Sequence, residues 1–262
     1  MTSVREATRR LERAGVASPE YDARALLRHA TDSGSEPDEL IAARASRVPL
    51  QHILGSAGFR YLELAVGPGV FVPRPETELL VDAVLRALDG HAAPRVVDLC
   101  AGSGAIGLSV AHEHHSARVD LVEASGAAFE WLRRNAADRE RVSLHHADLA
   151  EAPSGCESTI DVVVSNPPYV PLDERDIVDP EVRDHDPAEA LWGGPDGLDV
   201  LRRVVDRATV LLRAGGTLVV EHSDRQWQSV PELLERTGFA EVSDHNDLTG
   251  RSRFTTAVWV NQ

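Results

Sequence analysis

The chain has 262 residues, 42% of them hydrophobic, with 27 basic residues against 42 acidic ones. A net charge of −15 argues against tight, sequence-independent capture of nucleic acid, which needs a basic footprint. Only two cysteines occur, Cys100 and Cys156, and no apolar run reaches the length of a membrane span or signal segment. A cytoplasmic protein with two buried, reduced thiols and no membrane contact is therefore expected.

Residues 1–48 are helical in pattern. Val4, Ala7, Leu11 and Ala14 recur at three- and four-residue steps until Gly15 stops the first helix. Ser18-Pro19 opens a second, burying Ala23, Leu26, Leu27 and Ala30, and a third over about 37–46 carries Leu40, Ile41 and Ala45. No residue set here suggests chemistry, so this is read as a small helical domain that docks or positions a partner. Over 49–75 the character changes. Gly55, Gly58, Gly67, Pro68 and Gly69 punctuate short alternating runs such as 59–66, which reads as a β-hairpin linker. The exit of the linker, Phe71-Val72-Pro73-Arg74-Pro75-Glu76-Thr77-Glu78, leads into a helix through Leu88 with acids in the first turn, where the helix dipole favours them. Arg74 and Glu76 read as ties between linker and core.

From 76 to 262 strand and helix alternate. Strands are expected at 95–99, 118–123, 142–146, 161–165, 217–222, 241–245 and 254–260, and helices at 105–113, 126–138, 198–212 and 226–237. The alternation predicts an α/β fold, a doubly wound, mostly parallel seven-stranded sheet covered on both faces. Ligands of such sheets sit at the carboxyl ends of the strands, where strand order reverses.

Two motifs fall at those ends. Asp98-Leu99-Cys100-Ala101-Gly102-Ser103-Gly104 follows a strand and opens a helix, with Gly107 placed for close helix packing. Glu123, ending the second strand, can take both hydroxyls of a ribose, so an adenosine-type cofactor is expected. Asp98 just before the glycines would repel a pyrophosphate and welcome an amino group, which points to S-adenosylmethionine. Asp148, at the end of the third strand, is placed to accept from an adenine amino group. The second motif ends the strand 161–165 on Asn166-Pro167-Pro168-Tyr169. Two prolines hold the chain extended and remove two donors, leaving the Asn166 side-chain oxygen and the Pro167 carbonyl as acceptors for a planar NH2 group. His112-Glu113-His114-His115 lacks metal-site spacing and reads as solvated surface, so no metal is expected.

The chain resembles the protein N5-glutamine methyltransferases, in particular the branch that modifies the Gly-Gly-Gln glutamine of class I peptide chain release factors. The likeness rests on Val48-Pro49-Leu50-Gln51-His52-Ile53-Leu54-Gly55, the segment 71–78, the glycine turn and Asn166 to Tyr169. It continues through Glu181-Val182-Arg183-Asp184-His185-Asp186-Pro187, Gly193-Gly194-Pro195-Asp196-Gly197 and Asp247-Leu248-Thr249-Gly250-Arg251. The resemblance implies a catalytic pair, Asn166 and Pro167, and a substrate wall of Asn166, Pro167, Pro168, Tyr169 and Phe71. It implies a cofactor set of Asp98, Cys100, Ala101, Gly102, Ser103, Gly104, Glu123, Asp148, Leu149 and Asn166. It further implies a release factor as protein partner, S-adenosyl-L-homocysteine as product, a monomer and no direct nucleic-acid contact. Cys100 stands where the family has glycine, Glu123 where it has aspartate and Leu149 where it often has an aromatic. A ribosomal protein as substrate, an adenine-N6 nucleic-acid methyltransferase and an inactive cofactor-binding scaffold are the alternatives. The low aromatic content, 5%, and the acidic charge oppose the nucleic-acid reading.

Overall fold

Ser3 starts the first helix by accepting from the Glu6 N–H through its hydroxyl at 3.2 Å. In this computed structural model, which describes residues 2–260, four helices follow one another: α1 (Val4–Arg13), α2 (Pro19–Ser33), α3 (Pro37–Ala45) and α4 (Leu50–Leu54). Proline in the first turn of α2 and of α3 costs no hydrogen bond, because those N–H groups have no helical partner. Ala7, Leu11, Ala23, Leu26, Ile41 and Leu50 form the shared core, with Leu27 at its half-buried edge. The last helix lies where the hairpin linker was expected to begin. Five residues are too few to show a period, and it forms because Leu50 reaches the core of the preceding helices.

The linker proper is a hairpin of β1 (Ser56–Phe59) and β2 (Leu62–Ala65). At its tip Arg60 reaches Asp82 at 2.8 Å and both oxygens of Glu113 at 2.5 and 2.6 Å. Glu113, read above as part of a solvated run, is thus a bidentate partner that anchors the hairpin to the core.

After a 3-10 turn at Pro75–Thr77 the α/β domain runs α5 (Glu78–Ala87), β3 (Arg95–Leu99), α6 (Ala105–Glu113), β4 (Arg118–Glu123), α7 (Gly126–Asn135), β5 (Val142–His146) and β6 (Ile160–Ser165). It continues with α8 (Pro180–His185), α9 (Ala188–Leu191), α10 (Asp199–Leu211), β7 (Leu212–Glu221), α11 (Ser229–Thr237), β8 (Phe239–Asn246) and β9 (Ser252–Trp259). The seven strands pair in the order β5-β4-β3-β6-β7-β9-β8, parallel except for the antiparallel β9 contacts. Side chains alternate across the sheet, so Val96, Leu121 and Val164 pack on one face while Val97, Val122 and Val163 pack on the other. Among the described residues no helix is long and apolar enough to cross a membrane. Both cysteines are free: Cys156 is buried, whereas Cys100 is half-buried.

Several boundaries differ from the expected ones for local reasons. The seventh helix ends at Asn135, whose side-chain NH2 turns back to the Ala65 and Ser103 carbonyls. A capping box between Ser223 and Gln226 makes a separate turn ahead of α11, which therefore starts at Ser229. The short helices α8 and α9 were not expected. Asp179 caps α8 through the Glu181 N–H at 2.8 Å, and ion pairs from distant residues hold it in place. Arg44, buried against Asp22 at 2.7 Å, also reaches Glu181 at 2.8 Å, and Arg47 reaches Asp179 at 2.8 Å. Removing one partner of such a buried pair leaves a charge without compensation, so Arg44→Ala is expected to lose about 3 kcal/mol of stability in urea titration, far more than Arg24→Ala at the exposed α2 pair.

Candidate active site

The strands β3 and β6 end side by side, Leu99 opposite Ser165, and the Ser165 hydroxyl donates to the Leu99 carbonyl at 2.6 Å. Chain order turns at this pair, with β4 and β5 on one side and β7, β9 and β8 on the other. A cavity of about 590 Å³ fills the crevice so formed.

One wall is the turn after β3. Gly102 has φ +57 and a Cβ built there would meet nothing within 4 Å, so its backbone fronts open space. Gly107 is different: a Cβ would stand 2.1 Å from a Leu121 methyl carbon, which explains glycine at that close helix-to-strand contact. Cys100 takes a left-handed conformation, φ 62, and burial pushes its thiol up to about 12, so it stays protonated on the wall. Ala101, Gly102 and Ser103 complete this side, whereas Gly104 is not part of the wall.

Two carboxylates organise the turn from below and beside. Asp98 is buried, and its Oδ2 accepts from the Gly107 N–H at 2.9 Å. Oδ1 is equally buried and has no partner among the described residues, and burial lifts the acid to about 7. Asp98 itself is not on the cavity wall. Glu123, at the end of β4, lines the cavity and takes the Gly102 N–H on Oε2 at 2.8 Å and the Ser125 N–H on Oε1 at 2.7 Å. The carboxylate, with four lone-pair sites, keeps acceptor capacity toward the cavity. Burial raises this carboxyl as well. Farther along, Asp148 lines the cavity with Leu149 and pairs with Arg203 at 2.5 Å, which holds its carboxyl below the usual range.

The opposite wall is the loop after β6. Asn166 lines the cavity and donates through Nδ2 to the Thr77 hydroxyl at 3.3 Å, which leaves Oδ1 without a protein donor among the described residues. Pro168 and Tyr169 also line it, but Pro167 is buried and off the wall. The loop is held from behind by very close backbone contact. A Cβ on Gly193 would stand 2.7 Å from the Pro168 carbonyl oxygen, and one on Gly197 would stand 2.3 Å from that of Tyr169. Phe71 lies on the rim with the Arg74 guanidinium 4.8 Å over its ring, while Arg74 itself binds Asp186 at 2.6 Å. Arg74 is therefore a tie, as expected, and also lines the cavity, as does Glu76.

Sequence reasoning missed Thr77 and Glu221. The hydroxyl of Thr77 donates to Glu221 at 2.7 Å, and the Tyr169 phenol donates to the same carboxylate at 3.2 Å. An acid closing an apolar strand, Leu218-Val219-Val220-Glu221, is the same signal that singled out Glu123, and it was readable. Val182 and Pro187 reach the cavity from α8 and the residue before α9, which no pattern foretold.

Residues 62–178 match the family described as the methyltransferase small domain. The T. Thermophilus 16S rRNA N2 G1207 methyltransferase, solved with AdoMet and guanosine, shares the fold at a TM-score of 0.54 and 24% identity, over 78% of this chain and 49% of that one. A methyltransferase from Pyrococcus furiosus does so at 0.52 and 17%, over 76% and 90%. With its crevice at the strand-order reversal, the chain is an α/β methyltransferase. A curated release factor glutamine methyltransferase from Streptomyces coelicolor is 49% identical over 98% of this chain and 97% of its own length, and one from Mycolicibacterium smegmatis is 46% identical over 98% and 96%. The chain belongs to the release factor glutamine methyltransferase family.

The buried Asp98 gives a stability test. An acid whose folded-state pKa is raised favours the fold fully below its ordinary range and withdraws that contribution as pH rises through about 7. Asp98→Asn, which keeps an acceptor for the Gly107 N–H, is expected to melt above the wild type on the alkaline side of that value. In acid, where the wild-type carboxyl is protonated, thermal melts of the two proteins should converge.

Proposed function

We propose that the protein transfers a methyl group from S-adenosylmethionine to the side-chain amide nitrogen of the glutamine in the Gly-Gly-Gln motif of class I peptide chain release factors. S-adenosyl-L-homocysteine is the other product. The observation that carries this reading is the Asn166 carboxamide, fixed by its NH2 end on Thr77 beside the glycine turn, with its oxygen left to accept. The names of the two relatives above supply the substrate.

The residues present suit the cofactor. Asp98 lies behind the turn, off the cavity wall, where its charge favours an ammonium in front of the turn, the open Gly102 backbone gives room for the methionine part, and the spare acceptor capacity of Glu123 suits a ribose diol. Leu149 supplies apolar floor and Asp148 an acceptor for an adenine amino group. When bound, the cofactor supplies an electrophilic methyl on a sulfonium.

A glutamine amide nitrogen is a weak nucleophile because its lone pair is delocalised into the carbonyl. Asn166 Oδ1 accepts one N–H, and the proposed acceptor for the other is the Pro167 carbonyl, which has no donor among the described residues, although Pro167 itself lies off the cavity wall. The nitrogen is thereby held with its lone pair toward the methyl. Orientation of that kind recovers about 7 to 11 kcal/mol of barrier. Tyr169 and Phe71 exclude water from the pocket, and the proton released after methylation needs no dedicated base.

Incubation of a release factor with the protein and S-adenosylmethionine should add one methyl mass to the Gly-Gly-Gln peptide, read by tandem mass spectrometry. An unmodified peptide, with methyl label in nucleic acid or a ribosomal protein, would sink the proposal. Asn166→Ala should lower kcat at least tenfold, about the scale of one lost hydrogen bond, while calorimetric affinity for the cofactor changes far less.

A further inference from the structure

Glu221 ends β7 wholly inside the protein, 1% exposed, and takes no direct part in the chemistry above. Its two oxygens each receive a hydroxyl: Thr77 on Oε2 at 2.7 Å and Tyr169 on Oε1 at 3.2 Å. Thr77 in turn accepts from Asn166 Nδ2 at 3.3 Å. The three hydrogen bonds have a direction. A carboxylate only accepts, and a hydroxyl has one hydrogen to give. With that hydrogen committed to Glu221, Thr77 offers Asn166 only a lone pair. Asn166 must then turn its NH2 to Thr77 and its oxygen to the cavity.

We propose that Glu221 is a positioning residue that acts through Thr77 to set which end of the Asn166 carboxamide faces the substrate. The inference rests on the reading that Asn166 accepts from a glutamine amide, and it names the group that makes Asn166 an acceptor there. Without a pure acceptor behind it, Thr77 is free to donate to Asn166. The carboxamide then turns over and presents NH2 to an NH2, which repels the substrate nitrogen.

The groups facing Glu221 come from three elements: Glu76 and Thr77 from the turn before α5, Tyr169 from the loop after β6, and Arg253 from β9. Burial pushes the carboxyl up to about 7, with Glu76 adding to the rise and Arg253, itself bound to Asp247 at 3.2 Å, opposing it. As pH falls through that value the acid gains a hydrogen to donate, and the polarity of the relay is lost.

The test separates polarity from packing. Glu221→Gln keeps the shape but puts a donor on one edge, and Thr77→Val keeps the shape but breaks the relay. Both should lower kcat for release-factor methylation about tenfold, the scale of one hydrogen bond, at unchanged cofactor affinity. Thr77→Ser, which keeps the hydroxyl, should lose far less than Thr77→Val. Because Glu221 works through Asn166, the double variant Asn166→Ala/Glu221→Gln should be no slower than Asn166→Ala alone. Wild-type kcat should fall as pH drops through about 7, and that inflection should vanish in Glu221→Gln. Wild-type kcat in Glu221→Gln, or additive losses in the double variant, would overturn the proposal. A second readout needs no substrate: the side-chain ¹⁵NH2 resonances of Asn166, assigned by their loss in Asn166→Ala, should shift in Glu221→Gln and titrate with the same midpoint. Resonances unmoved by either change would also overturn it. A wild type that leaves release factors unmethylated refutes the functional reading instead, and the resonances then decide the polarity of the relay by themselves.

Discussion

The pairing of Leu99 with Ser165 is the constraint on which the site depends. It brings together two strand ends whose following turns do different work: one opens space at Gly102, the other leaves the Asn166 side-chain oxygen without a donor among the described residues. The Ser165 hydroxyl, bonded to the Leu99 carbonyl, takes up an acceptor that the diverging strands leave behind. A slip of one residue in this register would turn Val162 and Val164 to the wrong face of the sheet and carry Asn166 away from the glycine turn. The hydrophobic core therefore fixes where Asn166 lies relative to the glycine turn.

The polar contacts divide into those that hold backbone and those that leave a valence open. Glu123 takes an N–H from the turn and faces the cavity with acceptor capacity to spare, whereas Asp98 takes the Gly107 N–H of α6 behind the turn and keeps one oxygen unpartnered among the described residues. Burying two carboxylates so close to one another is costly, as their raised pKa values record. A cationic ligand at the turn would offset that cost, so the same groups that weaken the empty fold strengthen the occupied one.

The central sheet and both motifs were legible in the chain because their signals are local. Runs such as Val162-Val163-Val164 announce a strand buried on both faces, and glycine and proline punctuate its end. The direction of the Asn166 side chain was not legible, since it is set by Thr77 and Glu221, which lie 89 residues before Asn166 and 52 after Tyr169. The short helix α8 was hidden for the same reason. With Val182 its single strongly apolar residue, it shows no period, and its place is fixed by Arg44 and Arg47 from the helical domain and by Arg74 on the adjoining Asp186. Asp98 was visible as an acid before glycines, but its bond to the Gly107 N–H depends on how tightly α6 packs on Leu121.

That clasp around α8 has a mechanical meaning. Val182 touches the cavity while its neighbour Glu181 is held by Arg44, which is itself locked into the core of the helical domain by Asp22. One turn of helix thus touches both the reaction chamber and the amino-terminal module, and neither part can swing without straining the other. The span between the outer helices and the Asn166 carboxamide becomes a fixed gauge. Its length is set by the buried Arg44 pairs with Asp22 and Glu181, and not by the hairpin linker alone.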